Sequence, residues 1–518
     1  MKVLIIGSGF AGLATAALLA KAGMQVEVIE KNSGIGGRSG EITDQGFRWD
    51  TGPSWYLMPD AFDHFFELMG TSTGQELDLV DLEPGYRLFP EGRPPLDIPS
   101  NRAAAIELFE SIEEGAGEAL ELYLDSAKDA YDLSIERFLY TTFSSINPFI
   151  HHTVRQRLGR LATLLYKSLA DFVDERFSDT RLRQVLKYPA VFLSARPETT
   201  PALYHLMSYT DLDLGVKYPQ GGFMAVAKAI HRLAEHHGAI FRFNTSVVAI
   251  TTENKKATGL RVRNEDGDLE ELPADIVVSS ADLHHTETRL LPTELRTYSD
   301  AYFGKKNPGI GTVLLLLGVR GRLPELDHHN LLFSRDWSHD FDAVFSGPSD
   351  QRPLEASRSI YISMPSKTDP EVAPEDHENL FVLIPAPART TFGYGDAYRE
   401  QADPAISAIA DAAIEQIAAW TKVPDLAERI VVRKSLGPSD FAEHFHAWRG
   451  GSIGPAHTLS QSAFFRGKNK SSKVADLYYA GATTLPGVGV PMCLISAENV
   501  LKRINGDTSP GPLDTVGS

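Results

Sequence analysis

The chain opens on a short β-branched run at residues 3–6, followed by glycines at positions 7, 9 and 12. An Ala/Leu-rich helical stretch comes next, then a second apolar run at 26–29 that ends on Glu30. Strand, glycine turn, helix and strand in this order predict a βαβ unit on a parallel sheet. Between about residues 95 and 215 the apolar positions recur at helical spacing, which predicts helices over 103–112, 119–138, 154–177 and 180–192. Alternation returns at 240–250, 258–263 and 276–280, with Asp266-Gly267 as a hairpin turn. The uncharged run 312–319 has the length of a buried strand, and 406–420 reads as a helix. A last strand, 477–480, reaches Gly481, and a helix begins at Pro491, where the missing N–H costs nothing. Leu494, Ala497, Leu501 and Ile504 give that helix one apolar face. The small, polar tail after Asn505 is expected to lack order.

Composition narrows the class. The chain has 518 residues, 42% of them hydrophobic, enough for a large core and more than one domain. Fifty basic against 68 acidic residues give a formal charge of −18, which excludes a general nucleic-acid binder. A single cysteine, Cys493, excludes an internal disulfide framework, and a reducing, cytoplasmic setting fits. The apolar N-terminus is broken by its glycine turn and is read as strand and helix, not as a secretion signal. No run of about 18 apolar residues predicts a membrane-spanning helix. The pairs His236-His237, His284-His285 and His328-His329 lack metal-ligand spacing, and no metal is expected.

The chemistry lies in the glycines. Gly7 permits the tight turn, Gly9 lets the backbone approach a pyrophosphate, and Gly12 lets the helix pack closely on the sheet. The helix N-terminus presents free N–H groups to an anion, and Glu30 is placed to accept from ribose hydroxyls. Lys31 follows it, and Gly36, Gly37 and Arg38 form a second glycine turn carrying a cation. That turn leads into FRWDTGPSW, residues 47–55, which contributes Gly52 and Pro53. At the other end, the loop after Gly481 and the following helix N-terminus, with Gly489, Val490 and Met492, form a second partial positive charge.

The GGR turn after the first unit resembles the FAD-binding amine oxidase and phytoene desaturase superfamily. The segments PALYHLMSYTDLDLGVKYPQGGF (201–223), VVSSADLHHT (277–286), LSQSAFFR (459–466) and LYYAGATTLPGVGVPMCLISAENVLKRI (477–504) resemble the bacterial carotenoid (phytoene) desaturase family. The likeness covers almost the whole chain. It implies an α/β fold, with a Rossmann-like FAD-binding domain and a discontinuous inserted α+β substrate domain. The expected FAD-binding segments are 1–90, 218–288 and 441–504; the expected substrate segments are 91–217, helical and membrane-associated, and 289–440; 505–518 is the tail.

The resemblance also implies FAD as cofactor and a lipophilic polyene as substrate, with one hydride passing to flavin N5 and one proton lost at each step. Val247 falls where the superfamily holds the adenine by backbone groups, the segment 481–492 flanks the isoalloxazine, and Asp282 caps a helix close to the cofactor. A C40 polyene would cost on the order of 30 kcal/mol to expose to water. A peripheral membrane association and an apolar tunnel are therefore expected, with Tyr123, Tyr131, Phe138, Tyr140, Phe143, Phe149 and Tyr166 as candidate lining. Quinone or oxygen is the expected electron acceptor. Some family members carry an Arg and an Asp after a PF dipeptide, here Pro148-Phe149; this chain has His151, His152, Thr153, Val154 and Arg155 there, and no catalytic residue is assigned. A carotene cis-trans isomerase, a retinol-saturase-like enzyme, an amine or porphyrinogen oxidase, and a non-catalytic prenyl-binding escort protein remain as alternatives on the same fold.

Overall fold

The structure, a computed structural model, describes residues 1–144, 151–345 and 355–517. Lys2–Ile6 lies at the centre of a five-stranded sheet in the order Leu477–Tyr479, Ile276–Ser279, Lys2–Ile6, Gln25–Ile29, Ile240–Arg242. All four pairings are parallel. Both faces are covered, so Val3, Leu4 and Ile5 are wholly buried, as a continuous apolar strand requires. Helices Phe10–Lys21, Gly222–His236 and Val490–Asn505 cover one face, and Leu494, Ala497 and Leu501 point into that core. An antiparallel sheet of Ser246–Glu253, Lys256–Arg263 and Leu269–Pro273 covers the other, turning at Gly267.

A seven-stranded sheet forms the second layer system, in the order Ile430–Leu436, Ile310–Arg320, His377–Pro387, Ile360–Ser363, His329–Phe333, Tyr86–Pro90, Leu96–Ile98. Val313, Leu315 and Leu317 on one face pack with residues of the helix Pro404–Thr421. Side chains of opposite parity face the helical region between Arg102 and Leu212. Following the register across that face, Leu436, Leu314, Leu383, Tyr361, Leu331, Leu88 and Leu96 fall in one row. A single tyrosine interrupts six leucines.

Four expectations are corrected. The stretch 240–250 is two strands in different sheets, because Asn244 adopts a left-handed conformation at φ 50° that asparagine tolerates. The helix over 154–177 is three, His152–Gln156, Leu158–Tyr166 and Leu169–Asp174. Lys167 is extended, and the Ser168 hydroxyl accepts from the Asp171 N–H to start the last helix. Tyr86–Pro90 belongs to the seven-stranded sheet, so the first segment gives up its last strand before residue 90. The tail, expected to lack order, turns back at Gly506, and the Leu513 N–H donates to the buried Glu498 carboxylate at 2.7 Å.

Between the helical region and the sheet, Asp211 accepts from the hydroxyls of Tyr188 at 2.7 Å and Tyr86 at 3.4 Å. Burial pushes its pKa up to about 7. A carboxyl with a raised native pKa stabilises most while protonated; its contribution is full below the unfolded value near 4 and is lost as pH rises through 7. Stability measured by denaturant titration is therefore expected to fall across this window by a few kcal/mol. Asp211→Asn is expected to flatten that slope; an unchanged slope would count against the assignment.

Candidate functional site

A cavity of about 940 Å³ runs from the C-terminal edge of the parallel sheet to the leucine face of the second sheet. Its first half is built from the glycine turns. Gly7, Gly9, Glu30, Lys31, Gly37, Arg38, Gly52, Pro53, Val247, Gly481, Gly489, Val490 and Met492 all line it. Gly12 lies beneath, where a Cβ would come within 2.0 Å of the Gly7 carbonyl oxygen; it sets the distance between helix and turn. A Cβ on Gly9 would meet nothing nearer than the Gly36 carbonyl oxygen at 3.8 Å, so the backbone there is bare toward the cavity. The helices Phe10–Lys21 and Val490–Asn505 both start at this wall with no acidic residue in the first turn. Each therefore offers free N–H groups and the positive end of its dipole.

Glu30 is buried, and its carboxylate accepts from the Ser8 N–H at 2.8 Å, the Ser8 hydroxyl at 3.0 Å and the Asn32 N–H at 2.8 Å. These bonds fix an anion at the end of the second strand. Lys31 donates to the Glu443 carbonyl, and its pKa is lowered by burial against the attraction of Glu30 and Glu443. Arg38 donates to the carbonyls of Ser452 and Ile453. Asp282 caps the helix Leu283–Arg289 through the His284 N–H at 2.8 Å and also accepts from the Trp448 N–H at 3.2 Å, which ties the two walls together. Beside Lys31, His285 and His446 stack face to face at 3.9 Å, and burial pushes them down to about 3 and about 4, so both rings are neutral.

The other half is apolar. Leu314, Leu383, Phe381 and Tyr361 come from the sheet, and Leu203, Leu206 and Met207 from the helical side. Of the aromatic candidates, Tyr131, Phe138, Phe143 and Tyr166 line the cavity, whereas Tyr123 and Tyr140 pack into separate cores. Phe149 and Pro148 lie outside the described residues. His151 and His152 do not line the cavity; the His151 ring meets the Thr153 hydroxyl at the start of a short helix. At the mouth, Leu158, Leu165, Tyr166, Leu459, Phe464 and Phe465 both line the cavity and are exposed. They are half of the twelve large exposed apolar side chains among the described residues, so the apolar surface is concentrated at this opening.

Several wall residues escape a sequence reading. The Tyr361 hydroxyl is held between the Ser54 hydroxyl at 2.6 Å and His329 Nδ1 at 2.7 Å, and the His329 ring stacks on Trp55 at 4.5 Å. His285 meets His446, and His457 meets the loop before the last helix, across separations no local pattern carries. The histidine pairs were visible in the sequence; what they face was not.

Two glycine turns, a buried carboxylate at a strand end and two helix N-termini on one cleft define a nucleotide-binding oxidoreductase of the flavin type, and the bare cradle around Gly9 and Gly37 fits the diphosphate of FAD. Residues 10–505 match the family of flavin containing amine oxidoreductases. The chain is 37% identical over 98% of its length, and 98% of the relative's, to a carotenoid 3,4-desaturase of Haloarcula japonica. It is 31% identical over 97% of its length to a zeta-carotene-forming phytoene desaturase of Myxococcus xanthus, of which 93% is covered. Among solved structures, putrescine oxidase bound to putrescine superposes with a TM-score of 0.58 at 17% identity, over 98% of this chain and 99% of that one, which shows a shared fold. The chain belongs to the flavin-containing amine oxidoreductase family, within its carotenoid desaturase branch, and is an FAD-dependent oxidoreductase.

Proposed function

We propose that this protein desaturates phytoene or a related acyclic carotenoid precursor. The observation that carries the reading is one continuous cavity, with a polar glycine-lined half and an apolar half that opens among exposed apolar side chains. The parallel sheet with its three helices is the Rossmann-like FAD-binding part in this reading, and the seven-stranded sheet with the helical region is the inserted α+β substrate part. Bound FAD supplies an acceptor for a hydride. Gly7, Gly9 and Arg38 would hold its diphosphate, Glu30 its ribose, Val247 its adenine, and the 481–492 segment its ring system. The leucine face keeps the reacting carbons dry and aligned. No helix among the described residues is long and apolar enough to cross a membrane. We therefore assign the ring of Leu158, Leu165, Tyr166, Leu459, Phe464 and Phe465 to peripheral docking on a membrane, where the substrate is dissolved, with a quinone or oxygen as final acceptor.

The test is expression in a bacterium that accumulates colourless phytoene, with spectra and chromatograms of the extracted pigment. Coloured polyenes are expected, lost in Glu30→Ala and Arg38→Ala, with the protein recovered in the membrane fraction and released by Phe464→Asp with Phe465→Asp. The two relatives are named for different desaturations, and the product spectrum assigns the reaction here. An unchanged extract from cells containing flavin-loaded protein would refute the reading.

A further inference from the structure

We propose that His457 is the base that accepts the proton lost in each desaturation, an inference that rests on the function proposed above. Its ring is 4% exposed and lines the cavity on the wall shared with Leu193, Tyr204 and Ser462. Nδ1 lies 3.2 Å from the Leu193 carbonyl oxygen, and the His457 backbone N–H reaches the same oxygen at 3.0 Å. A carbonyl oxygen only accepts, so Nδ1 carries the proton and Nε2 keeps its lone pair. Nε2 has no hydrogen-bond partner among the described residues. It is aimed at the loop between Leu485 and Gly489: a Cβ on Gly487 would lie 2.5 Å from it. That loop leads directly into the helix whose N-terminus lines the cofactor half. The imidazole thus stands where the apolar tunnel meets the expected ring system.

The other ionisable groups on the wall are engaged or misplaced. The Glu30 carboxylate is occupied by Ser8 and Asn32 and the Asp282 carboxylate by the His284 and Trp448 N–H groups; His285, His446 and His444 lie beside Lys31, and His329 does not line the cavity. The charged and titratable groups facing His457 are Arg466 and the edge of the Tyr204 ring, 5.6 Å away; no carboxylate is within ion-pair distance among the described residues. Burial, then the Arg466 charge, pushes the ring's pKa well below the ordinary imidazole value, so it is neutral at neutral pH.

One substrate C–H bond gives its electron pair and hydrogen to FAD as hydride, leaving an allylic cation. The neighbouring C–H bond gives its electron pair to the new C=C bond, and its proton goes to Nε2, making an imidazolium. A proton beside a cation is strongly acidic, so a neutral, weakly basic imidazole suffices, and its low basicity returns the proton readily afterwards.

His457→Asn tests this, because the amide nitrogen can still donate to the Leu193 carbonyl while the base is removed; His457→Phe is the second variant. Both are expected to bind FAD in wild-type amounts. Polyene turnover is expected to fall about a hundredfold or more. Nitrogen-15 NMR of histidine-labelled wild-type protein is expected to show Nδ1 protonated and Nε2 bare at neutral pH. Turnover within threefold of wild type in a flavin-loaded His457→Asn, or a protonated Nε2, would overturn the proposal. A wild-type protein inert on every acyclic polyene would instead overturn the functional reading on which it rests.

Discussion

Replacing Gly12 with valine is expected to cost the protein its bound flavin and much of its stability. A Cβ there would meet the Gly7 carbonyl oxygen at 2.0 Å and the Ser280 hydroxyl at 2.7 Å. Neither can yield. The Gly7 N–H donates to Ile29 at 2.8 Å, and the Ser280 hydroxyl donates to the carbonyls of Ile6 at 2.8 Å and Gly7 at 3.0 Å, which ties the turn to two neighbouring strands. The helix must therefore move off the sheet, taking with it the N–H groups that face the cavity. Overpacking of this kind costs about 3 kcal/mol or more. Gly34→Ala is the control, since nothing lies within 4 Å of its added methyl and its backbone is not left-handed; it is expected to change stability by no more than about 0.5 kcal/mol. Flavin content by absorbance and thermal unfolding check both, and a yellow Gly12→Val protein with an unshifted transition would refute the packing argument.

The same residues show why the nucleotide half was legible in the sequence. Gly7, Gly9, Gly12 and Glu30 act through backbone geometry within one βαβ unit, so their spacing along the chain is their spacing in space. The strand 312–319 and the helix 406–420 were legible because burial of one element writes a local pattern, a continuous apolar run of strand length in the first and a helical period in the second. The expected helix over 154–177 failed because its apolar period runs on through the extended Lys167, which changes direction without changing which side is apolar. The catalytic half was not legible. Tyr361 acquires its meaning from leucines on neighbouring strands, and His457 from a carbonyl at Leu193 and a glycine at position 487. Cross-strand register and loop docking set those contacts, and neither is encoded locally.

The second large effect is expected at Arg466, for a reason the charge balance of the chain conceals. Its guanidinium is buried and faces backbone oxygens only: Nε donates to Thr484 at 3.0 Å, one terminal nitrogen to Pro455 and Gln461 at 3.3 Å each, and the other to Ala482 at 2.6 Å. Burial lowers its pKa to about 10, so it stays charged at neutral pH. A planar fork with fixed donors is suited to hold three chain segments at once, which a single ammonium cannot do. Arg466→Met would strand four carbonyls, at roughly 1–3 kcal/mol each where water cannot reach them, offset in part by relief from burying a lone charge. A net loss of about 3–5 kcal/mol is expected, with weakened flavin binding because Ala482 and Leu485 line the cofactor wall. Arg466→Lys is expected to recover part of the stability. Because the Arg466 charge also depresses His457, its removal is expected to raise the His457 pKa, read by NMR in whatever folded fraction of Arg466→Met remains. A stable Arg466→Met protein with full flavin and an unmoved His457 would show that the loop is held by other contacts.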